Sequence, residues 1–363
     1  MSTNTTAYLA LADGTIFHGV SRGAPLDLPG EVVFNTGMTG YQEIVSDPSY
    51  FGQIVTLSAA EIGNYGCAAS DMESDGLHLS GLVVRELNPP SSWRSEESLE
   101  QLFRRSGKPL LSGVDTRRLV LHIRQHGTQK AWLHADASEL PEEAAVAKAR
   151  EWAGLDDIDC ASQVTSKAAY DWCTEGEALV VVIDCGVKRS ILRMLEKTGF
   201  RVRVVPAGSA AAEILALKPD GVLLSNGPGD PAGVTGVIDC IRALLGRVPI
   251  MGICLGHQML ALACGAQTGR LPFGHHGINH PVLCLADGSV EITSQNHNFA
   301  VTQETLPSCL EVTRINLNDQ TIEGLRHKSL PAFSIQYHPE AAPGPFDATR
   351  LFTEFKTLIH SSK

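Results

Sequence analysis

The sequence predicts an α/β protein: a C-terminal doubly wound, mostly parallel sheet preceded by a smaller, strand-rich mixed α/β domain. Two observations carry this reading. From Ala178 onward, apolar runs of four to six residues alternate with amphipathic helical segments, the pattern of parallel strands covered on both faces. Over roughly the first 135 residues, runs of strand-forming residues bounded by Gly, Asp and Pro dominate. The 363 residues, 43% hydrophobic and 19% charged, suffice for two domains with cores of their own. The expected division is residues 1–137, a connector at 138–177, and 178–363.

In order along the chain, Tyr8–Leu11 and Thr15–Phe17 flank Asp13-Gly14, a hairpin signal. Glu31–Phe34 and Gln53–Leu57 are further strands. Helices are expected over Glu96–Ser106 and from Asp115 to His126, the second with Asp115-Thr116 as N-cap and Gly127 as stop. Pro141-Glu142-Glu143 opens an Ala-rich helix that ends at Gly154. The alternating part then reads as strand Leu179–Asp184, helix Lys188–Gly199, strand Arg201–Pro206, helix Ala210–Leu217, strand Gly221–Ser225, helix Thr235–Leu245, strand Val248–Ile253 and helix Gly256–Cys264. Phe333–Tyr337 is a later strand. Ligands of such sheets bind at the carboxyl ends of the strands.

Composition excludes several classes. Forty acidic residues against 29 basic ones give a net charge of −11, so a broad phosphate-neutralising face is not expected. The longest apolar runs fall far short of the ~20 residues of a spanning helix, and Met1–Thr6 has no signal-peptide character. The nine cysteines are scattered without a C-x-x-C pair, which points to a reduced, cytoplasmic setting rather than a disulfide framework. His275, His276, His280 and Cys284 fall on an expected loop without metal-type spacing, so no metal site is expected. Neither a Walker A nor a dinucleotide fingerprint occurs, so no nucleotide cofactor is expected in this chain.

Three motifs carry chemistry. Gly252-Ile253-Cys254-Leu255-Gly256 stands between a strand and a helix, the grammar of a nucleophile elbow with a thiol in place of a hydroxyl. The glycines allow the tight turn, and the helix N-terminus favours the thiolate. His338-Pro339-Glu340 follows a strand; residues two apart on extended backbone project to one side, so Glu340 can orient His338 as base. In Ser225-Asn226-Gly227-Pro228-Gly229-Asp230-Pro231, Gly227 lets its N–H approach a ligand and form an oxyanion hole with the N–H of Leu255. His257, three residues after the nucleophile, should point away, and Cys264 should be core.

These motifs, in this order and on this fold, resemble the class I (triad) glutamine amidotransferases over about residues 178–363. The first half resembles the small-chain family of carbamoyl-phosphate synthases. The matching segments are Gly30–Ile44, Asp47-Pro48-Ser49-Tyr50, Gly113–Arg118, Phe273–Gly277 and Gln295-Asn296-His297. The resemblance implies that Cys254, His338 and Glu340 form a catalytic triad. Glutamine would be bound by Ser49, Gly227, Gly229, Leu255, Gln258, Asn296, Asn298 and Phe299, with Ser49 placing the site at a domain interface. It also implies ammonia delivery to a large chain that makes carbamoyl phosphate from bicarbonate with ATP and Mg. That product feeds arginine and pyrimidine synthesis. Where the family usually has Gly, this chain has Asn298, the least costly replacement if the position needs positive φ. Three alternatives stand beside this reading: an amidotransferase component of another biosynthetic complex, a cysteine hydrolase acting alone, and a catalytically silent regulatory scaffold.

Overall fold

In the first strand, Thr6–Leu11, both faces are buried, and residues two apart go to different cores. Ala7, Leu9 and Leu11 join one cluster with Val32, Ile54 and Leu133, while Tyr8 and Ala10 pack against Ala145 and Val146 of helix Glu142–Glu151. A strand covered on both sides in this way belongs to a closed sheet. The computed structural model, which describes residues 5–136 and 139–363, closes it with seven strands. They are β1 (Thr6–Leu11), β2 (Ile16–Ser21), β3 (Leu28–Asn35), β4 (Gln53–Leu57), β5 (Gly81–Val83), β6 (Leu110–Ser112) and β7 (Gln129–His134). Around the barrel the order is β1-β2-β6-β5-β4-β3-β7.

The local signals behave as their chemistry dictates. The Asp13-Gly14 turn joins β1 to β2 in antiparallel register, Leu9 opposite Phe17. Ser98 caps helix Leu99–Arg105 in a capping box with Gln101. Asp115 accepts the Arg118 N–H at the start of helix Thr116–His126, and Gly127, at φ 82°, ends it. Contacts divide the chain into two units, residues 1–155 with 272–276, and residues 156–271 with 277–363. The segment read as a connector is thus shared out. Its helix covers β1 in the first unit, and Tyr170–Cys173 becomes a strand of the second. The boundary drawn at 137/138 lies outside the described residues.

The second unit contains a ten-stranded sheet. Its strands are β8 (Tyr170–Cys173), β9 (Ala178–Asp184), β10 (Phe200–Pro206), β11 (Gly221–Leu224), β12 (Ile250–Ile253), β13 (Thr268–Cys284), β14 (Val290–Val301), β15 (Leu310–Asn316), β16 (Ile322–His327) and β17 (Ala332–Ile335). The spatial order is β8-β10-β9-β11-β12-β17-β16-β15-β13-β14. From β10 to β17 the pairing is parallel, as the sequence predicts. Val180 and Val182 of β9 face helices Arg189–Lys197 and Arg350–Ser361, while Val181 and Ile183 face helices Thr235–Leu244 and Leu255–Ala263. From β17 onward the sheet continues antiparallel through β16 and β15 to β13, an extension the sequence reading did not assign. The segment carrying His275, His276, His280 and Cys284 is extended strand β13, not a loop. All nine cysteines are free. Among the described residues no helix is long and apolar enough to cross a membrane.

Candidate active site

Four neighbouring parallel strands, β9, β11, β12 and β17, end on the same side of the sheet, and each delivers one piece of the site. Their registers are tight: Leu224 of β11 lies opposite Gly252 of β12, and Ile253 of β12 opposite Ile335 of β17. One residue beyond β12, the Cys254 N–H donates to the Ile335 carbonyl at 2.9 Å, so the elbow begins beside the segment that carries His338.

Cys254 is buried at φ 54°, ψ −106°, a conformation that L-residues rarely adopt, and it caps helix Leu255–Ala263. The glycines on either side are sterically required. A Cβ at Gly252 would meet the Gly256 carbonyl oxygen at 2.6 Å, and one at Gly256 would meet the Leu224 oxygen at 2.3 Å. The loop after β11 is locked to this elbow, because the Gly256 N–H donates to the Ser225 carbonyl at 3.1 Å. A Cβ at Gly227 would fall 2.1 Å from the Cys185 oxygen and 2.9 Å from the Leu255 side chain. Gly229 adopts φ 87° against Cys160. Leu255 is the first residue of its helix, so its N–H has no intrahelical acceptor.

His338 leaves β17 and pairs back to β14, its N–H donating to the Ser294 carbonyl at 2.9 Å. Its Nδ1 lies 2.7 Å from Glu340 Oε1, and the same oxygen accepts from Lys188 Nζ at 2.6 Å. All three side chains are buried. Burial by itself would raise the Glu340 carboxyl, but the Lys188 ammonium and then His338 outweigh it and hold it below its ordinary value. Burial likewise opposes a charge on His338, yet the Glu340 carboxylate wins and the imidazole is raised, against the repulsion of Lys188. The nearby Cys254 side chain also favours the protonated form of this ring. His338 Nε2 meets no partner at regular hydrogen-bond geometry, a looseness common before a substrate tightens a site.

Of the other expected residues, Gln258 is buried in the first turns of the helix after Cys254, where its Nε2 donates to the Phe299 carbonyl at 2.6 Å. Asn296, Asn298 and Phe299 lie on β14, and the Asn296 carbonyl accepts from Cys254 Sγ at 3.6 Å. Asn298 does not adopt positive φ, so the conformational freedom of a glycine is not needed there. Ser49 belongs to the first unit, buried in the 3₁₀ turn Pro48–Tyr50 with its N–H donating to Asp47. His257 points away, as expected, and its Nδ1 lies 2.9 Å from Ser334 Oγ. Cys264 is half-buried at the helix end, beside Cys309.

Two residues of the site escaped the sequence reading. Lys188 stands four residues past Asp184, the last residue of β9, and a lysine at the end of the short turn after a buried parallel strand was the available signal. Gln336 sits two residues before His338 with its side chain fully buried, and only the tertiary structure turns it toward Cys254.

A buried cysteine on a strained elbow and a histidine–carboxylate pair on the adjacent strand end, set on a doubly wound sheet, have the form of the class I glutamine amidotransferases. The family model described as glutamine amidotransferase class-I matches residues 181–358. A second model, carbamoyl-phosphate synthase small chain, CPSase domain, matches residues 9–133. The carbamoyl phosphate synthase small chain of Bacillus caldolyticus is 52% identical over 97% of this chain and 96% of its own length. That of Thioalkalivibrio sulfidiphilus is 50% identical over 98% and 97%. The carbamoyl phosphate synthase pyrimidine-specific small chain of Halalkalibacterium halodurans is 49% identical over 98% and 97%. The chain belongs to the carbamoyl phosphate synthase small chain family.

Proposed function

We propose that this chain is the glutaminase subunit of a carbamoyl phosphate synthase. The observation that carries the reading is Cys254 on its strained elbow beside the buried His338–Glu340 pair. In this reading Cys254, as the thiolate whose proton His338 holds, attacks the side-chain amide carbon of glutamine. The oxyanion that forms is met by the N–H groups of Gly227 and Leu255, a type of contact worth roughly 3–4 kcal/mol each in the transition state. His338, held protonated by Glu340, gives its proton to the departing ammonia, leaving a γ-glutamyl thioester. Water then adds, its proton passing to His338, and glutamate leaves while the Cys254 thiolate beside protonated His338 is restored. Gly227, Gly229, Leu255, Gln258, Asn296, Asn298 and Phe299 hold the glutamine.

The ammonia goes to a large chain that carries the ATP, Mg and bicarbonate chemistry, and the present chain uses no cofactor of its own. The assembly works in the cytoplasm and supplies carbamoyl phosphate to biosynthesis. Pyrimidine synthesis is favoured by the name of one relative. The test is glutamate release from glutamine by the purified chain, alone and with a large chain plus ATP and bicarbonate. Slow hydrolysis that rises with the partner and vanishes in Cys254→Ser is the expected result. No release under either condition overturns the reading in favour of a silent scaffold.

A further inference from the structure

Cys254 Sγ has a second neighbour that the triad does not use. Gln336 Nε2 donates to the sulfur at 3.8 Å, and Gln336 Oε1 accepts from Gln258 Nε2 at 3.0 Å. Gln258 Nε2 in turn donates to the Phe299 carbonyl at 2.6 Å. This chain of bonds has a direction. A backbone carbonyl only accepts, so Phe299 fixes which end of the Gln258 amide faces it. Gln258 then presents N–H to Gln336, which obliges Gln336 to offer its oxygen there and its NH₂ to the sulfur. The sulfur's other partner, the Asn296 carbonyl at 3.6 Å, is an acceptor and suits the thiol, not the thiolate. Gln336 is fully buried, so its amide has no solvent alternative.

We infer that Gln336 is a further catalytic residue of this site: its amide, locked in orientation by Gln258 and Phe299, donates to the Cys254 sulfur and stabilises the reactive thiolate. The glutaminase role it would serve rests on the function proposed above, but the geometry at the sulfur does not. Because Gln258 is also a glutamine-holding residue in that reading, the relay ties occupancy of the substrate site to the state of the nucleophile.

The experiment is alkylation of Cys254 by iodoacetamide in the full chain, followed across pH by mass spectrometry, with thermal melting as a control on folding. In Gln336→Met, which keeps the length and loses the donor, alkylation at pH 7 should slow about tenfold, as expected for one hydrogen bond to a charged group. The difference should close at alkaline pH, where the thiolate forms without help. Wild-type rates at every pH overturn the inference. So does a slowing that persists at alkaline pH, since that reports blocked access rather than a lost donor. Gln258→Met provides a second reading that leaves Gln336 in place: a smaller slowing with the same pH dependence is expected, and wild-type rates overturn the relay. Alkylation needs no glutamine turnover. A chain that hydrolyses no glutamine yet shows these profiles would sink the proposed function while sustaining the role of Gln336.

Discussion

Lys188 and Glu340, 152 residues apart in the chain, meet in a buried ion pair at 2.6 Å, and the oxygen they share is the one that His338 uses. A histidine–carboxylate pair this deep would strain against burial if the carboxylate stood alone. The ammonium fixes the Glu340 charge and so fixes which imidazole nitrogen is held.

Lys188→Met should therefore do more than remove a salt bridge. It leaves a buried carboxylate with one partner, a change that costs about 3–5 kcal/mol when a buried pair is broken. Urea denaturation at neutral pH measures it. A loss under ~1 kcal/mol, the range of exposed pairs, would show that the ammonium contributes little to holding Glu340.

The backbone at Cys254 yields a comparison between two variants. Both Cys254→Ala and Cys254→Gly remove the thiol, and Ala is ordinarily the more stable choice by roughly 0.5–1 kcal/mol. At φ 54°, ψ −106°, the order should reverse, because only the variant without a Cβ relaxes a strain of about 1–3 kcal/mol. Melting temperatures of the two proteins decide the matter; Ala melting above Gly would mean the elbow is unstrained.

At Gly227 the expectation combines structure and turnover. A Cβ there lies 2.1 Å from the Cys185 backbone oxygen, so Gly227→Ala must move the loop and its N–H with it. Glutamine hydrolysis should fall on the order of 100-fold in kcat through a lost oxyanion donor. Steady-state kinetics test this, and a kcat within twofold of wild type would remove Gly227 from the oxyanion site.

The pH dependence of stability should carry the signature of His257. Burial lowers its pKa to about 3, only partly offset by its bond to Ser334. The unfolded chain, with an ordinary imidazole near 6.5, then binds a proton that the folded chain refuses. Stability from this residue is complete above about 6.5 and falls with pH toward 3, by about 1.4 kcal/mol per unit. Denaturation between pH 7 and 5 should show a shallower slope in His257→Gln than in wild type. Equal slopes would show that His257 charges within the folded protein.

Much of this protein was legible because its signals are local. Asp115 and Gly127 mark a helix by capping chemistry, and Asp13-Gly14 makes a hairpin by turn chemistry. The runs from Ala178 read as parallel strands because both faces of each are apolar. The cysteine elbow was legible because a turn that tight excludes Cβ atoms at Gly252 and Gly256 whatever surrounds it.

The sequence by itself thus determined the element types, the parallel sheet and the residue kinds able to do nucleophilic chemistry. Only the tertiary structure decided the barrel closure, since which strands become neighbours depends on long-range pairing such as β1 with β7. It alone gave the antiparallel extension from β17 to β13, whose irregular burial carries no clean period. It also brought Lys188 to Glu340 and turned Gln336 toward Cys254. The physical reason is the same in each case. Local steric and capping rules act within a few residues, whereas a buried charge or amide acquires its role from whichever groups the folded chain sets against it.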